Sequence, residues 1–351
     1  KKNKKKNKKK NKKKNKKKTR EMSDICERRK IVKRLGYGVF GSVYLVKDPK
    51  TKKEYALKIQ KMVCLKKNKN KFVITEEVLR EIEFTKKMDK YPQQFMKLHC
   101  YTIDNRCFYD QPKPPFKPDK KLQKYLDDLN KSQCCVELMY DLKDGVFGDL
   151  EYSYTVKSSS SQIYSYVAQM TYILYLLQKE HYSHTDIHPG NVAYLKTKKK
   201  QMKLGKDITV NLHGFIFSLI DFGRVKKTGK TEKQNFRDFF KFCDTLLCGY
   251  DWGIWNLIKS GKMVDDKEID KKIRNSEEYK ALKKEYNLPR FNYETKMLFI
   301  GIYPEIALRF AGMKRIIQKY KKRLITVEEY IFLWKNRNNL KKLTQYFSKK
   351  T

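Results

Sequence analysis

Two carboxylates and an amide stand out in this chain by their type and spacing. Asp186 and Asn191 lie in the run His184-Thr185-Asp186-Ile187-His188-Pro189-Gly190-Asn191, and Asp221 opens Asp221-Phe222-Gly223 after an intervening insert. Both stretches follow apolar segments, which places them on loops. A carboxylate that orients a hydroxyl, with an amide oxygen and a second carboxylate for hard divalent cations, is the set phosphoryl transfer requires. Asp186 is thus the candidate catalytic group, and Asn191 and Asp221 are the candidate magnesium ligands. Taken singly, Asp186 or Asn191 reads equally well as the cap of a loop.

Such a set needs a nucleotide holder upstream. Residues 31 to 47 form two β-rich runs around a turn with Gly36, Gly38 and Gly41, where backbone can approach phosphates without interference from Cβ atoms. The strands on both sides set this segment apart from a dinucleotide fold, in which a helix starts at the third glycine. Val43 then falls where an apolar cover over a purine is wanted. In the alternating run Tyr55-Ala56-Leu57-Lys58-Ile59, Lys58 is the only lysine. Residues 75 to 88 have helical spacing, with Val78, Leu79, Ile82 and Phe84 apolar. A partner for Lys58 on that helix is Glu81, with Glu76, Glu77 and Glu83 as competitors.

Further on, residues 101 to 133 carry Pro112, Pro114, Pro115 and Pro118 and read as an insert with at most one short helix, near residues 122 to 129. The run Cys134-Cys135-Val136-Glu137-Leu138-Met139 restores a buried strand, broken by Asp144-Gly145. From Ser161 a helix is expected, with Val167, Met170, Leu174 and Leu177 on one face. Between Asn191 and Asp221, residues 207 to 212 and 215 to 220 read as two strands of an extra hairpin around His213-Gly214. Residues 235 to 247 and much of 250 to 350 read as helical, with 327 to 334 the clearest amphipathic piece.

The 351-residue chain is 40% hydrophobic and 13% aromatic, which excludes a wholly disordered protein. Its net charge is +43, of which residues 1 to 18, a lysine and asparagine repeat, hold fourteen; the rest still carries +29. This repeat has no apolar face to bury and reads as a solvated tail; any partner it has is a polyanion or nucleic acid. Met22 is the first methionine, so the start of the protein lies there or upstream. The eight cysteines form no Cys-x-x-Cys pair and the five histidines do not cluster with them. Reduced thiols, an intracellular compartment and no structural zinc are therefore expected. The most apolar run, 166 to 177, is too short to span a bilayer and contains Gln169 and Thr171.

In this order the motifs resemble those of the protein-kinase superfamily, over roughly residues 31 to 250. Gly36-x-Gly38-x-x-Gly41-x-Val43 is similar to its glycine-rich loop, Ala56-x-Lys58 to its third strand, and Glu81 in Leu-Arg-Glu-Ile to its helix glutamate. His184-x-Asp186-x-x-x-x-Asn191 resembles the catalytic loop and Asp221-Phe222-Gly223 the magnesium motif. The resemblance implies an α+β bilobal fold, with a small antiparallel sheet in the N-lobe and a mainly helical C-lobe. The lobes would follow a tail at 1–21 and occupy 22–139, with the insert at 101–133, and 140–351. ATP and magnesium are implied as cofactors and a protein serine or threonine as substrate. Lys58, held by Glu81, would bind the α- and β-phosphates, and Asp186 would take the hydroxyl proton. Val136 is similar to the gatekeeper, and Glu137 and Met139 to the hinge positions that offer backbone to adenine.

Departures from the family pattern are as informative. Thr185 replaces the arginine commonly found before the catalytic aspartate, which implies activity without phosphorylation of the following segment. His188 stands where most serine/threonine kinases place a lysine; kinases of the aminoglycoside and choline type, and haspin, are similar there. No Ala-Pro-Glu follows Gly223, and residues 224 to 234 are short for a peptide-docking segment. Either Asp238 or Asp244 is the aspartate that supports the catalytic loop. The complete glycine-rich loop sets the chain apart from kinases of the aminoglycoside type, and the hairpin before Asp221 and the short segment after it are similar to haspin-like kinases and to those of iridoviruses and mimiviruses. A small-molecule kinase and a non-catalytic nucleotide-binding scaffold are the alternatives.

Overall fold

The computed structural model describes residues 26–38, 41–62, 75–104, 120, 123–124, 127, 134–150, 159–229, 235–246, 266–312 and 324–351. The lysine-rich tail, most of the proline-containing insert with its short helix, and residues 230 to 234 lie outside them, as does the Asp244 side chain. The fold is α+β, in two compact units that divide between Lys143 and Asp144.

The first unit is a five-stranded antiparallel sheet. β1 (Lys30–Gly38), β2 (Gly41–Lys47) and β3 (Glu54–Lys61) follow one another, β5 (Cys135–Asp141) pairs with β3, and β4 (Leu98–Asp104) pairs with β5 on its far side. Alternation along a strand sends successive side chains to opposite faces. Tyr55, Leu57, Ile59, Cys135 and Met139 accordingly pack on one face with Cys26 and Val46. Ala56, Val136, Leu138 and Tyr140 pack on the other, where Val78 and Ile82 of α1 (Glu76–Met88) meet them. Leu79, apolar in the helical pattern, points away and is exposed. The turn from β2 to β3 is built around buried Asp48. Its carboxylate accepts from Arg28 Nε at 2.9 Å, Thr51 Oγ1 at 2.6 Å and Lys50 N at 3.0 Å. The hydrogen bond from Arg28, aided by those from Thr51 and Lys50, holds this carboxyl well below the usual carboxylate range against the opposing effect of burial.

The expected reduced thiols need correction in this unit. Cys26 and Cys100 form a disulfide with Cα atoms 6.3 Å apart, closing 74 residues of chain, and Cys134 is disulfide-bonded as well. Spacing along the sequence carried no trace of this, because Cys100 reaches Cys26 only once β4 has joined the sheet. Cys135 and Cys243 are buried.

In the second unit the long helix α2 (Ser160–Lys179) is the central support. Its start is fixed by a capping box in which Ser159 Oγ accepts from Gln162 N and the Gln162 side chain accepts from Ser159 N. Val167, Met170, Leu174 and Leu177 are all buried, as their spacing predicts. Gln169 and Thr171 have specific partners in this apolar setting. Gln169 Oε1 accepts from Phe217 N at 2.9 Å and its Nε2 donates to Phe215 O at 3.2 Å. That satisfies the open side of β11 (Phe215–Leu219), which pairs on its other side with β8 (Val192–Lys196); β8 in turn carries β6 (Gly145–Val146). Thr171 Oγ1 donates to Val167 O and meets Thr344 Oγ1 at 3.2 Å, where α9 (Leu340–Ser348) packs on α2.

The expected hairpin of residues 207 to 212 with 215 to 220 does not form. β10 (Thr209–Asn211) pairs backward with β9 (Gln201–Lys203), and β11 pairs with β8, so a small hairpin is nested inside a larger one. His213 and Gly214 do form the turn, both with positive φ, but it redirects the chain from the inner hairpin to the outer.

Two short strands, β7 (Tyr182–Ser183) and β12 (Lys226–Lys227), pair beside this hairpin. Helices α3 (Asn235–Thr245), α4 (Asp266–Asn275), α5 (Glu277–Glu285), α6 (Tyr293–Ile302), α7 (Pro304–Phe310) and α8 (Val327–Lys335) make up much of the remainder. α6 and α8 meet at Gly301, where a Cβ atom would collide with the Tyr330 ring, whose hydroxyl donates to Met297 O at 2.9 Å. Among the described residues no helix is long and apolar enough to cross a membrane.

Candidate active site

Lys58 and Ala56 lie two residues apart on β3 and so share a face, the one that α1 covers. Lys58 Nζ donates to both carboxylate oxygens of Glu81, at 3.0 and 2.9 Å. Glu76, Glu77 and Glu83 are exposed, and Glu81 is buried. A buried carboxylate needs more than one partner, and Tyr140 supplies the second by donating its hydroxyl to Glu81 Oε1 at 2.7 Å. Sequence reasoning missed Tyr140. The available signal was its period-two relation to Val136 and Leu138, which puts it on the same face.

Gly36 and Gly38 are part of β1 and Gly41 opens β2, with Gly36 opposite Val43 and Gly38 opposite Gly41. The glycines have different local constraints. A Cβ at Gly41 would strike the Ile59 carbonyl oxygen of β3, whereas one at Gly36 would meet open space. Val43 packs against the cluster that contains Ala56. The two candidate hinge residues lie within a strand. Glu137 and Met139 are inside β5, paired on one side with Ile59 and Leu57 and on the other with Thr102 and Cys100, and β5 continues to Asp141. Val136 lies deeper still. A strand flanked on both sides commits its backbone to ladders, so Leu142 and Lys143 are the first residues past that commitment. The Glu137 side chain is an ion-pair partner of Arg29 and accepts from Thr102 Oγ1 at 2.8 Å.

In the second unit, the loop carrying Asp186 is anchored from α3. Asp238, buried, accepts from Ser183 Oγ at 2.8 Å, His184 N at 2.6 Å and Thr185 N at 2.8 Å. It is therefore Asp238 that supports this loop. Thr185 takes positive φ, unusual for a β-branched residue. Its hydroxyl donates to Arg224 O at 2.7 Å and its carbonyl accepts from Lys241 Nζ at 2.8 Å. The Thr185 hydroxyl thus ties the segment after Gly223 directly to the loop.

Asp186 is about a quarter exposed and stands between two cations, Arg224 at 3.5 Å from one carboxylate oxygen and Lys241 at 3.5 Å from the other. Neither was singled out by sequence reasoning. Lys241 was legible in principle, since it lies three positions after Asp238 on one helix and therefore on the same side. Asn191 Nδ2 donates to Asp186 O at 2.9 Å, leaving its amide oxygen for a cation. Ile220 N donates to Asn191 O at 3.0 Å where β8 and β11 end side by side, which brings Asn191 next to the residue preceding Asp221. Asp221 is exposed, with positive φ. Phe222 is buried and meets the His184 ring edge-on, while His184 is bonded to Ile220 O at 3.0 Å. His188 Nδ1 accepts from Gly190 N at 3.1 Å, capping the turn Pro189–Asn191, and burial pushes its pKa down despite the Asp186 charge.

The donor set suits magnesium and a phosphate ligand. An amide oxygen and a carboxylate are hard donors, and magnesium is ordinarily held by one or two carboxylates together with water and substrate phosphates. No family model matches the chain. The chain is 37% identical over 83 residues, 24% of its length, to "Calcium-dependent protein kinase 4" of Plasmodium berghei (strain Anka), and to the same degree to that of Plasmodium falciparum (isolate 3D7). The matched part spans 15% of the length of these relatives. Both come from Plasmodium, so the likeness to viral kinases gains no support from them. The match is weak and partial, and what it points to is the protein-kinase superfamily and a phosphotransferase of kinase type, no finer.

Proposed function

We propose that this chain is an ATP- and magnesium-dependent phosphotransferase acting on serine or threonine hydroxyls of proteins. The observation that carries this reading is the loop from His184 to Asn191, in which Asp238 fixes the backbone around Asp186 while Asn191 and Ile220 bond across the end of β8 and β11. Asp186 would orient the acceptor hydroxyl and take its proton on a carboxylate oxygen. Asn191 Oδ1 and the Asp221 carboxylate would hold magnesium, which when bound neutralises charge on the phosphoryl group in transfer. Lys58, steadied by Glu81 and Tyr140, would bind the α- and β-phosphates, and the backbone at Gly36, Gly38 and Gly41 would leave room for them. Val43 and Ala56 would contact the purine, with the backbone just after β5 as its polar partner. Because Thr185 already secures the segment after Gly223, activity would not depend on phosphorylation of that segment.

The test is phosphate transfer from labelled ATP with magnesium, comparing the native chain with Asp186→Asn on protein acceptors and a small-molecule panel. Label on protein serine or threonine, falling by about a thousandfold or more in the variant, is the expected result. Label on small molecules alone would favour the reading that His188 also permits, a small-molecule kinase. ATP binding without transfer would favour a scaffold.

A further inference from the structure

Among the described residues, the ion-pair partners of Asp186 are Arg224 and Lys241. The segment after Gly223 pairs antiparallel with β7, just ahead of the loop that carries Asp186, with Lys226 opposite Ser183, Lys227 opposite Tyr182, and Thr228 N donating to His181 O at 2.8 Å. Within it Val225 is buried, whereas Arg224 and Lys226, two residues apart and so on one side of the strand, are exposed. Lys227 is exposed as well. On the other flank Lys241 reaches in from α3 to Thr185 O and to Asp186. A hydroxyl approaching Asp186 therefore arrives beside Arg224 and Lys241, with Lys226 exposed on Arg224's side of the strand.

We propose that the acceptor is a serine or threonine in an acidic peptide segment, recognised by Arg224 and Lys226. This rests on the phosphotransferase reading of the site. The geometry adds a reason for coupling charge to chemistry. Arg224 is 63% exposed and its guanidinium lies 3.5 Å from one oxygen of Asp186, an open ion pair that is cheap to exchange. A carboxylate on the incoming peptide takes the guanidinium, which offers a planar fork suited to carboxylates. The Asp186 oxygen it leaves is then available to the hydroxyl proton. A peptide with lysine flanks cannot make that exchange and meets like charge from Lys226 and Lys227. The acidic peptide thus gains contacts and relieves the base, whereas the basic one gains neither.

Three peptides of one sequence, with a single serine flanked by Glu, Gln or Lys, separate the outcomes. Transfer from ATP and direct binding by fluorescence anisotropy are both measured, for the native chain, Lys226→Glu and Arg224→Gln. The expected result is a kcat/KM at least about tenfold higher for the Glu peptide than for the Lys peptide, falling as salt is raised. Lys226→Glu should shrink or invert that ratio through KM, and Arg224→Gln should shrink it by lowering kcat/KM for the Glu peptide while raising it for the Gln and Lys peptides, whose base is no longer engaged by the guanidinium. Equal use of the three peptides, preference for Lys flanks, or a ratio unchanged in both variants would overturn the proposal. Binding that follows the same order without transfer would support the basic docking surface and count against the phosphotransferase reading instead. Transfer confined to small molecules, with no difference in peptide binding, would overturn both.

Discussion

Thr185 shows what the loop around Asp186 demands of single residues. A β-branched side chain at positive φ costs about 1–3 kcal/mol, and here the amide, carbonyl and hydroxyl of that residue each have a partner: Asp238, Lys241 and Arg224. The strain is tolerated because α3 supplies two of those partners from adjacent turns. Lys241 is accordingly a positioning residue, holding Thr185 by its carbonyl while facing the Asp186 carboxylate. Lys241→Ala should lower kcat by about tenfold while leaving the KM for ATP nearly unchanged, and Lys241→Arg should recover part of the loss; each tenfold corresponds to about 1.4 kcal/mol in the barrier. Steady-state kinetics on one peptide would check this, and a purely structural role would instead appear as a lower thermal midpoint with unchanged kcat per folded molecule.

At the scale of elements, the glycine-bearing strands show that a motif can mix two constraints. Gly41 is required by the close approach of β3, since any Cβ would meet the Ile59 carbonyl, whereas nothing in the sheet crowds Gly36. Gly41→Ala should therefore destabilise the first unit by about 1–3 kcal/mol as an overpacking change. Gly36→Ala should leave the melting curve nearly in place and raise the KM for ATP, because only an incoming phosphate would meet the new methyl group. Differential scanning calorimetry paired with ATP titration would distinguish the two. The nested hairpins carry a different lesson. The runs that form β10 and β11 were legible as strands, but their partners were not. Local alternation specifies which face is buried, while pairing depends on turns such as the one where Leu204 N meets Ile208 O.

For the whole molecule, what the sequence revealed follows how local each signal is. Helix α2 could be placed because four apolar residues repeat on one face, and Asp186, Asn191 and Asp221 because they sit in short contiguous patterns. Tyr140, the Cys26–Cys100 bond and the true end of β5 escaped, since each depends on strands far apart in the chain. Asp48 belongs with these, and it gives the first unit a pH signature. Its carboxyl is held low in the folded chain, so the stability it contributes is fully present above about pH 4, the ordinary aspartate range, and is lost as pH falls below that. Asp48→Asn should cost about 1–3 kcal/mol at neutral pH for the lost charged hydrogen bonds. In thermal melts the gap from the native chain should be constant from about pH 5 to 8 and should close below about pH 4.

The contact between Gly301 and Tyr330 binds two positions into a single heritable choice. With the Tyr330 ring against bare backbone, neither α6 nor α8 can drift alone. Gly301→Ala should fail to fold at ordinary growth temperature, and suppressors selected in that background should fall at position 330, replacing tyrosine by a smaller residue. Among descendants of this chain a side chain at 301 should appear only alongside a shortened one at 330, so that the lineage passes through the pair together or not at all.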